Sequence, residues 1–290
     1  MATKNEVAKK KQAAPMGINA YMNNENVKKS IANAVGAENM PRFISSVVSA
    51  VQTNKNLMEC TNSSILSAAL LGESLQLPPS PQLGFFYMVP YNSENGKEAQ
   101  FQLGAKGYVQ LAIRSGQYKK IVASEVKEGE LVSYNPITED VVLEPIMDEK
   151  VRNKKPTIGY YGLLELNNGY RKEMYWSKEK MDAHAKRYSI AYKKGWSTPW
   201  KTDFDAMGCK TIIRQMISKW GIMSVEMQKA YTADMGVIDE DGNVKYVDND
   251  QPIEEKVADD IAENANKTEF QPEDVVVESK IVNNDEAPFK

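Results

Sequence analysis

The sequence predicts an α+β fold, with an antiparallel sheet built from hairpins and packed against several helices. Three observations predict it. Apolar residues recur at helical spacing first, then alternate at strand spacing, then return to helical spacing. Two stretches read as hairpins, because strand-like runs flank a short polar, glycine-containing turn. No internal repeat and no glycine-serine linker interrupts this order.

The first helix follows from Pro41, which suits a helix's first turn, and from Phe43, Ile44, Val47, Val48 and Val51 at helical spacing. Lys55 and Asn56 end it. A second begins at Thr61 or Asn62, good capping residues, and carries Ile65, Leu66, Ala69, Leu70 and Leu75 until Pro78, Pro79 and Pro81 stop it. Strands follow: Phe85, Tyr87 and Val89 alternate with Phe86, Met88 and Pro90, and residues 99–103 pair with them across Asn92 to Gly96. Gly104 opens a short helix that Ser115 and Gly116 close. Further strands are expected at 121–126, 131–134 and 141–143, and a hairpin at 157–176 turns at Asn167-Asn168-Gly169.

Ser177 begins another helix, with Met181, Ala185 and Tyr188 facing inward. Asp203 caps a long one from Phe204 to about Trp220, burying Met207, Ile213, Met216, Ile217 and Trp220. A last helix is expected within 224–235, and a short one near 252–264.

Charge divides the chain into three parts. Residues 1–25 are polar and read as a disordered basic extension, 26–236 as the core domain, and 237–290 as an acidic flexible tail. The tail holds 16 Asp/Glu and 5 Lys/Arg, whereas residues 1–236 hold 23 acids and 31 bases. A body at +8 beside a tail at −11 suits a polyanion-binding surface, or a tail that only keeps the protein soluble. The two cysteines, Cys60 and Cys209, fit a reducing compartment and not a disulfide scaffold. No apolar run follows the N-terminal lysines or reaches spanning length, so a soluble protein of the cytoplasm, without a membrane partner, is expected.

Catalytic signatures are sparse. The lone histidine, His184, reads as surface or packing, and no serine or cysteine has a recognisable base partner. The run LGAKG lacks the long glycine-rich loop ending in Gly-Lys-Ser/Thr, so nothing points to ATP. Asp203 and Asp205 put two carboxylates close together, as a metal nuclease needs, but the capping role of Asp203 is the stronger reading.

Basic residues interleave with aromatics in three places. One is Lys106, Tyr108, Arg114, Tyr118, Lys119 and Lys120; another is Lys186, Arg187 and Tyr188 with Tyr192 to Trp196; the third is Trp200 and Lys201 with Lys210 and Arg214. Bases neutralise phosphates and rings stack on unpaired nucleobases, so such clusters suit single-stranded nucleic acid without reading its sequence. Lys106, Gln110 and Arg114 share one helical face, which serves equally as solvated surface or phosphate track. Tyr108 and Trp220 read as core.

These same stretches resemble the RecT family of phage and prophage single-strand annealing proteins. The resemblance rests on LGESLQLPPSPQLGFFYMVPYN (71–92), FQLGAKGYVQLAIRSGQYKKI (101–121) and STPWKTDFDAMGCKTIIRQM (197–216), with the hairpin near 160–176 between the last two. It covers roughly residues 25–235. Lys106 stands where the family commonly has arginine, and Gly208-Cys209 where alanine and a basic residue are expected.

The resemblance implies a Red-beta/RecT-like fold that assembles into rings or helical filaments. It implies binding of single-stranded DNA and of a duplex annealing intermediate, and ATP-independent annealing in homologous recombination. The implied partners are a phage exonuclease and the host single-stranded DNA-binding protein. No catalytic site and no cofactor are implied, and magnesium is expected only as a DNA counterion. On this reading Lys106, Gln110, Arg114, Lys119 and Lys120 form one wall of a groove, Lys210 and Arg214 the other, and Lys186, Arg187, Trp200 and Lys201 add contacts. The rival readings are a nuclease using Asp203 and Asp205, and a passive single-strand coating protein. The tail either shields the groove or docks a partner through Val275 to Val277, Ile281 and Val282.

Overall fold

The structure is a computed structural model that describes residues 16–93, 96–239 and 241–246. Two helices open it, α1 (Ile18–Met22) and α2 (Glu25–Val35), which Asn24 caps by accepting a hydrogen bond from the Asn26 amide. Met22 is fully buried, so the ordered chain begins before residue 26, earlier than composition suggests: one methionine with a pocket to fill outweighs polar neighbours. Next come α3 (Met40–Thr53), with Pro41 in its first turn, a 3₁₀ turn at Lys55–Glu59, and α4 (Asn62–Ser74). Helix α3 buries Phe43, Val47, Ala50 and Val51 on one stripe. The missing side chain of Gly72 on α4 makes room for the Phe86 ring, which would lie 2.4 Å from a Cβ there.

A hairpin follows, β1 (Phe86–Ser93) and β2 (Gly96–Leu103), paired in one register from Phe86–Leu103 to Ser93–Gly96. Helix α5 (Ala105–Arg114) leads to β3 (Tyr118–Lys127), then to the small hairpin β4 (Leu131–Tyr134) and β5 (Val141–Leu143), and the single turn α6 (Glu149–Arg152). Strands β6 (Thr157–Leu166) and β7 (Arg171–Ser177) form the expected hairpin. Ser177 caps α7 (Lys178–Tyr188), and short turns α8 (Ile190–Lys193) and α9 (Pro199–Thr202) precede α10 (Phe204–Trp220). Helix α11 (Val225–Ala233) and the short strands β8 (Gly236–Ile238) and β9 (Val244–Tyr246) complete the description.

The fold is therefore α+β, with antiparallel sheets ordered β1-β2-β8-β9, β3-β6-β7 and β4-β5. Strands β8 and β9 run past residue 236 into the stretch read as tail. Strand β8 pairs onto β2 and β9 onto β8, and Val237 and Ile238 are buried there. Strands of three residues carry too little alternation to stand out against acidic neighbours. The expected helix at 252–264 and the apolar islands near the end lie outside the described residues.

Helix α10 crosses the three-stranded sheet. Gly162 on β6 faces Ile212 and Met216, and Gly208 on α10 faces Tyr160. A Cβ at 208 would come within 2.6 Å of the Tyr160 ring, which explains glycine where the sequence pattern favours alanine. Fully buried Tyr108, Tyr160, Phe86, Phe101 and Leu164 anchor the core, each contributing about 1.5–3 kcal/mol by leaving water.

Candidate nucleic-acid interface

Helix α5 is held very close to the start of the β1–β2 hairpin. A Cβ at Gly104 would lie 2.1 Å from the Gly84 carbonyl oxygen, and one at Gly107 would lie 2.1 Å from that of Phe85. Both obstacles are backbone, so only glycine fits. Gly84 itself has φ +69°, a conformation glycine adopts without strain. These glycines seat the inner face of α5, where Gly107, Tyr108, Leu111 and Ala112 are buried. The opposite face carries exposed Lys106, half-buried Gln110 and exposed Arg114, with exposed Ile113 beside them. The sequence LGAKG thus works as a docking joint that leaves one lysine facing solvent.

Arg114 is partly engaged. Its guanidinium donates to the Leu75 carbonyl at 2.9 Å and to Gln76 Oε1 at 3.3 Å, tying α5 to the end of α4. Lys119 and Lys120 are exposed but sit on β3. The register pairs Lys120 with Glu165, and Glu165 with Arg171, so Lys120 belongs to the sheet face turned away from Gly162 and α10.

The second wall of the expected groove is not where the sequence put it. Arg214 donates to the Tyr108 hydroxyl at 3.2 Å and lies 3.3 Å from Asp234, on the buried side of α5 and behind the stripe. Asp234 also accepts from the Leu103 amide at 2.8 Å and from Tyr108 at 2.7 Å. Burial alone would lower the Arg214 pKa, but Tyr108 and Asp234 reverse that and hold it above the ordinary value. Lys210 is half-buried beside this network, and burial lowers its pKa against the pull of Asp234. Spacing along one helix cannot say that a neighbouring carboxylate claims the charge.

Trp200 is a core residue, 8% exposed, packed against Phe204 and Tyr192. It is therefore not offered as a stacking platform. The exposed loop ring is Trp196, with Lys194 over it at 5.1 Å. Lys201 donates to the Gly195 carbonyl at 2.7 Å and so fastens that loop. Lys186 pairs with Asp182 one turn back on α7, and Arg187 lies over the Tyr188 ring. The three basic-aromatic clusters thus separate into an exposed α5 stripe, an ion-paired interior and a fastened loop.

Asp203 accepts from the Ala206 amide as the cap of α10. Asp205 accepts from Tyr160 at 2.6 Å and Thr157 at 2.8 Å, so its carboxylate braces β6. Among the described residues no group of three or more His, Cys, Asp or Glu is placed to hold a metal ion.

The sequence reading also missed aromatic and basic residues that the fold brings together. Trp220 is only partly buried, and Lys172 of β7 and Lys219 of α10 both sit over its ring. Tyr188, read as inward, is exposed. The signal in the sequence was Lys219 next to Trp220, the same pairing as Trp200-Lys201.

The model of the RecT family matches residues 41–248, which include all three sequence blocks and strands β8 and β9. The chain belongs to the RecT family. It is 37% identical to an uncharacterized protein, YqaK, of Bacillus subtilis (strain 168), over 84% of this chain and 81% of that relative. It is 27% identical to Protein RecT of Escherichia coli (strain K12), over 74% of this chain and 79% of that one. Membership in the RecT family carries single-stranded DNA binding and single-strand annealing in recombination. No described helix is long and apolar enough to cross a membrane.

Proposed function

We propose that this RecT-family chain anneals complementary strands without ATP, as an oligomer, by gripping the backbone along the exposed face of α5. The observation that carries this reading is Lys106 on a helix that two glycines lock to the β1–β2 hairpin. A fixed cation can meet phosphates of any sequence, and one helical turn rises about 5.4 Å, close to the spacing of successive phosphates. Bases stay free to test pairing because the grip needs only the backbone. Lys106, Gln110 and Arg114 lead this track, with Lys119 and Lys120 continuing it. Lys186, Arg187 and Lys201 are subsidiary contacts, while Trp200, Lys210 and Arg214 support the fold around them.

Magnesium acts only as a counterion in this scheme. The single strands come from a partner exonuclease of phage origin, and the host single-stranded DNA-binding protein is the second partner. Family membership supports both partners, together with assembly into a ring or filament in the bacterial cytoplasm, as parts of this reading.

The experiment mixes two complementary fluorescent oligonucleotides with the protein, without ATP, with and without magnesium. Faster pairing of intact strands is the expected outcome. Binding without acceleration would leave a coating protein, and magnesium-dependent shortening of the strands would restore the nuclease reading.

A further inference from the structure

One face of the molecule gathers cations around aromatic rings without an equal number of acids. On β7, Lys172 and Trp176 are four residues apart and so point to the same side of the strand. Lys172 pairs in register with Leu164, and Trp176 with Tyr160, which places that side with α10. Lys172 Nζ lies 4.9 Å from the centre of the Trp220 ring and Lys219 Nζ lies 5.8 Å from it. Lys180 Nζ lies 4.7 Å from the Trp176 ring. The His184 ring lies edge-on to Trp176 at 5.3 Å and tilted against Tyr188 at 4.5 Å. Three lysines from three elements therefore converge on two tryptophans and the histidine.

Glu139 is an acid at this face; it pairs with Lys172 and pulls the Lys180 pKa upward, against burial and Lys219. Lys180 and Lys219 are exposed and repel each other: burial first, and then Lys219, hold the Lys180 pKa below its ordinary value. His184 feels the same field. Burial, then Arg214 and Lys219 of α10 and Arg187 of its own helix, push its pKa down to about 4. Like charges held this close are relieved by an anion between them. Trp176 is buried beneath Lys180 and fixes that ammonium in place, while the partly buried Trp220 ring holds Lys172 and Lys219 and offers flat apolar surface beside them. A polyanion that carries flat rings, a DNA single strand, matches both features.

We propose that this face, formed by Lys172, Lys180 and Lys219 around Trp176, Trp220 and His184, is a second single-strand contact, additional to the α5 stripe. It rests on the single-strand binding proposed above. The two contacts lie on different elements, α5 for one and β7, α7 and α10 for the other, so one chain offers two places to hold a backbone.

His184 is the one histidine in the 290-residue chain, which makes its ring a private reporter. The full-length protein, labelled with ¹³C-histidine, would be titrated with a dT oligonucleotide while fluorescence anisotropy follows binding independently. Occupancy of this face is expected to shift the His184 ring signals and raise the ring pKa, because phosphates cancel the field of Lys219, Arg187 and Arg214. In the same titration Lys180→Gln/Lys219→Gln, at two exposed positions, is expected to lower the salt slope of log K by about 1.4, two phosphate contacts' worth for a single strand. An unmoved histidine signal at saturating oligonucleotide, or an unchanged slope, overturns this contact and leaves the α5 reading intact. Absence of binding by anisotropy defeats the α5 reading itself. A histidine shift with polyglutamate but not with dT assigns the face to acidic peptide and rejects the proposal.

Discussion

Lys106 and Arg214 look alike in the sequence, as cations on amphipathic helices, yet their surroundings give them different work. Lys106 is exposed on a locked helix, whereas Arg214 is paired with an Asp234 side chain of 0% exposure. Removing Arg214 leaves that buried carboxylate without its paired cation, so Arg214→Gln should lower the unfolding free energy by about 3–5 kcal/mol. Chemical denaturation checks this, with Lys106→Gln expected to stay within about 0.5 kcal/mol of the native chain. At this scale the sequence spoke clearly where a local rule governs: Asp203 as a cap, and Ser177 before α7. It was silent where the partner is distant. Asp234 lies 20 residues from Arg214 and 126 from Tyr108, and no periodicity links them. For the same reason Trp200, expected as a contact, is core, and Trp220, expected as core, is only partly buried against it.

The elements themselves were more legible, because each is set by short-range pattern. The β6–β7 hairpin, the cap of α10 and the strands at 131–134 and 141–143 are where the alternation and turn residues put them. Lys119 and Lys120 were harder to place. Strand β3 begins at Tyr118, three residues before the apolar alternation starts, where Tyr118 pairs with Leu166 of β6 and its hydroxyl donates to the Ile222 carbonyl at 3.0 Å. Helix α5 shows how an element positions chemistry. Gly107→Ala would drive a methyl into the Phe85 carbonyl, and the helix would have to shift with its stripe. The expected cost is about 1–3 kcal/mol, as for other overpacked sites. Thermal unfolding and single-strand affinity should fall together in this variant, which separates it from Lys106→Gln.

Across the whole molecule, charge and sheet closure set the terms. The basic body was visible from composition, but its lower boundary was not. Strands β8 and β9 complete the sheet beside β2, so a deletion starting at residue 237 would remove part of the fold. The informative truncation ends at Tyr246 and removes 13 Asp/Glu with 4 Lys/Arg. A net −9 segment tethered to a basic surface competes with DNA, so this truncation should tighten single-strand binding at low salt and lose the advantage as salt screens it. Unchanged affinity with lost recruitment of the host single-stranded DNA-binding protein would instead make the segment a docking arm.

The central claim is that a locked α5 holds the DNA backbone through exposed cations. The most direct measurement is the salt dependence of single-strand affinity for the native chain and for Lys106→Gln. The account expects the slope of log K against log salt to fall by about 0.7, one phosphate contact, at unchanged thermal stability. Identical slopes for the two proteins would contradict it.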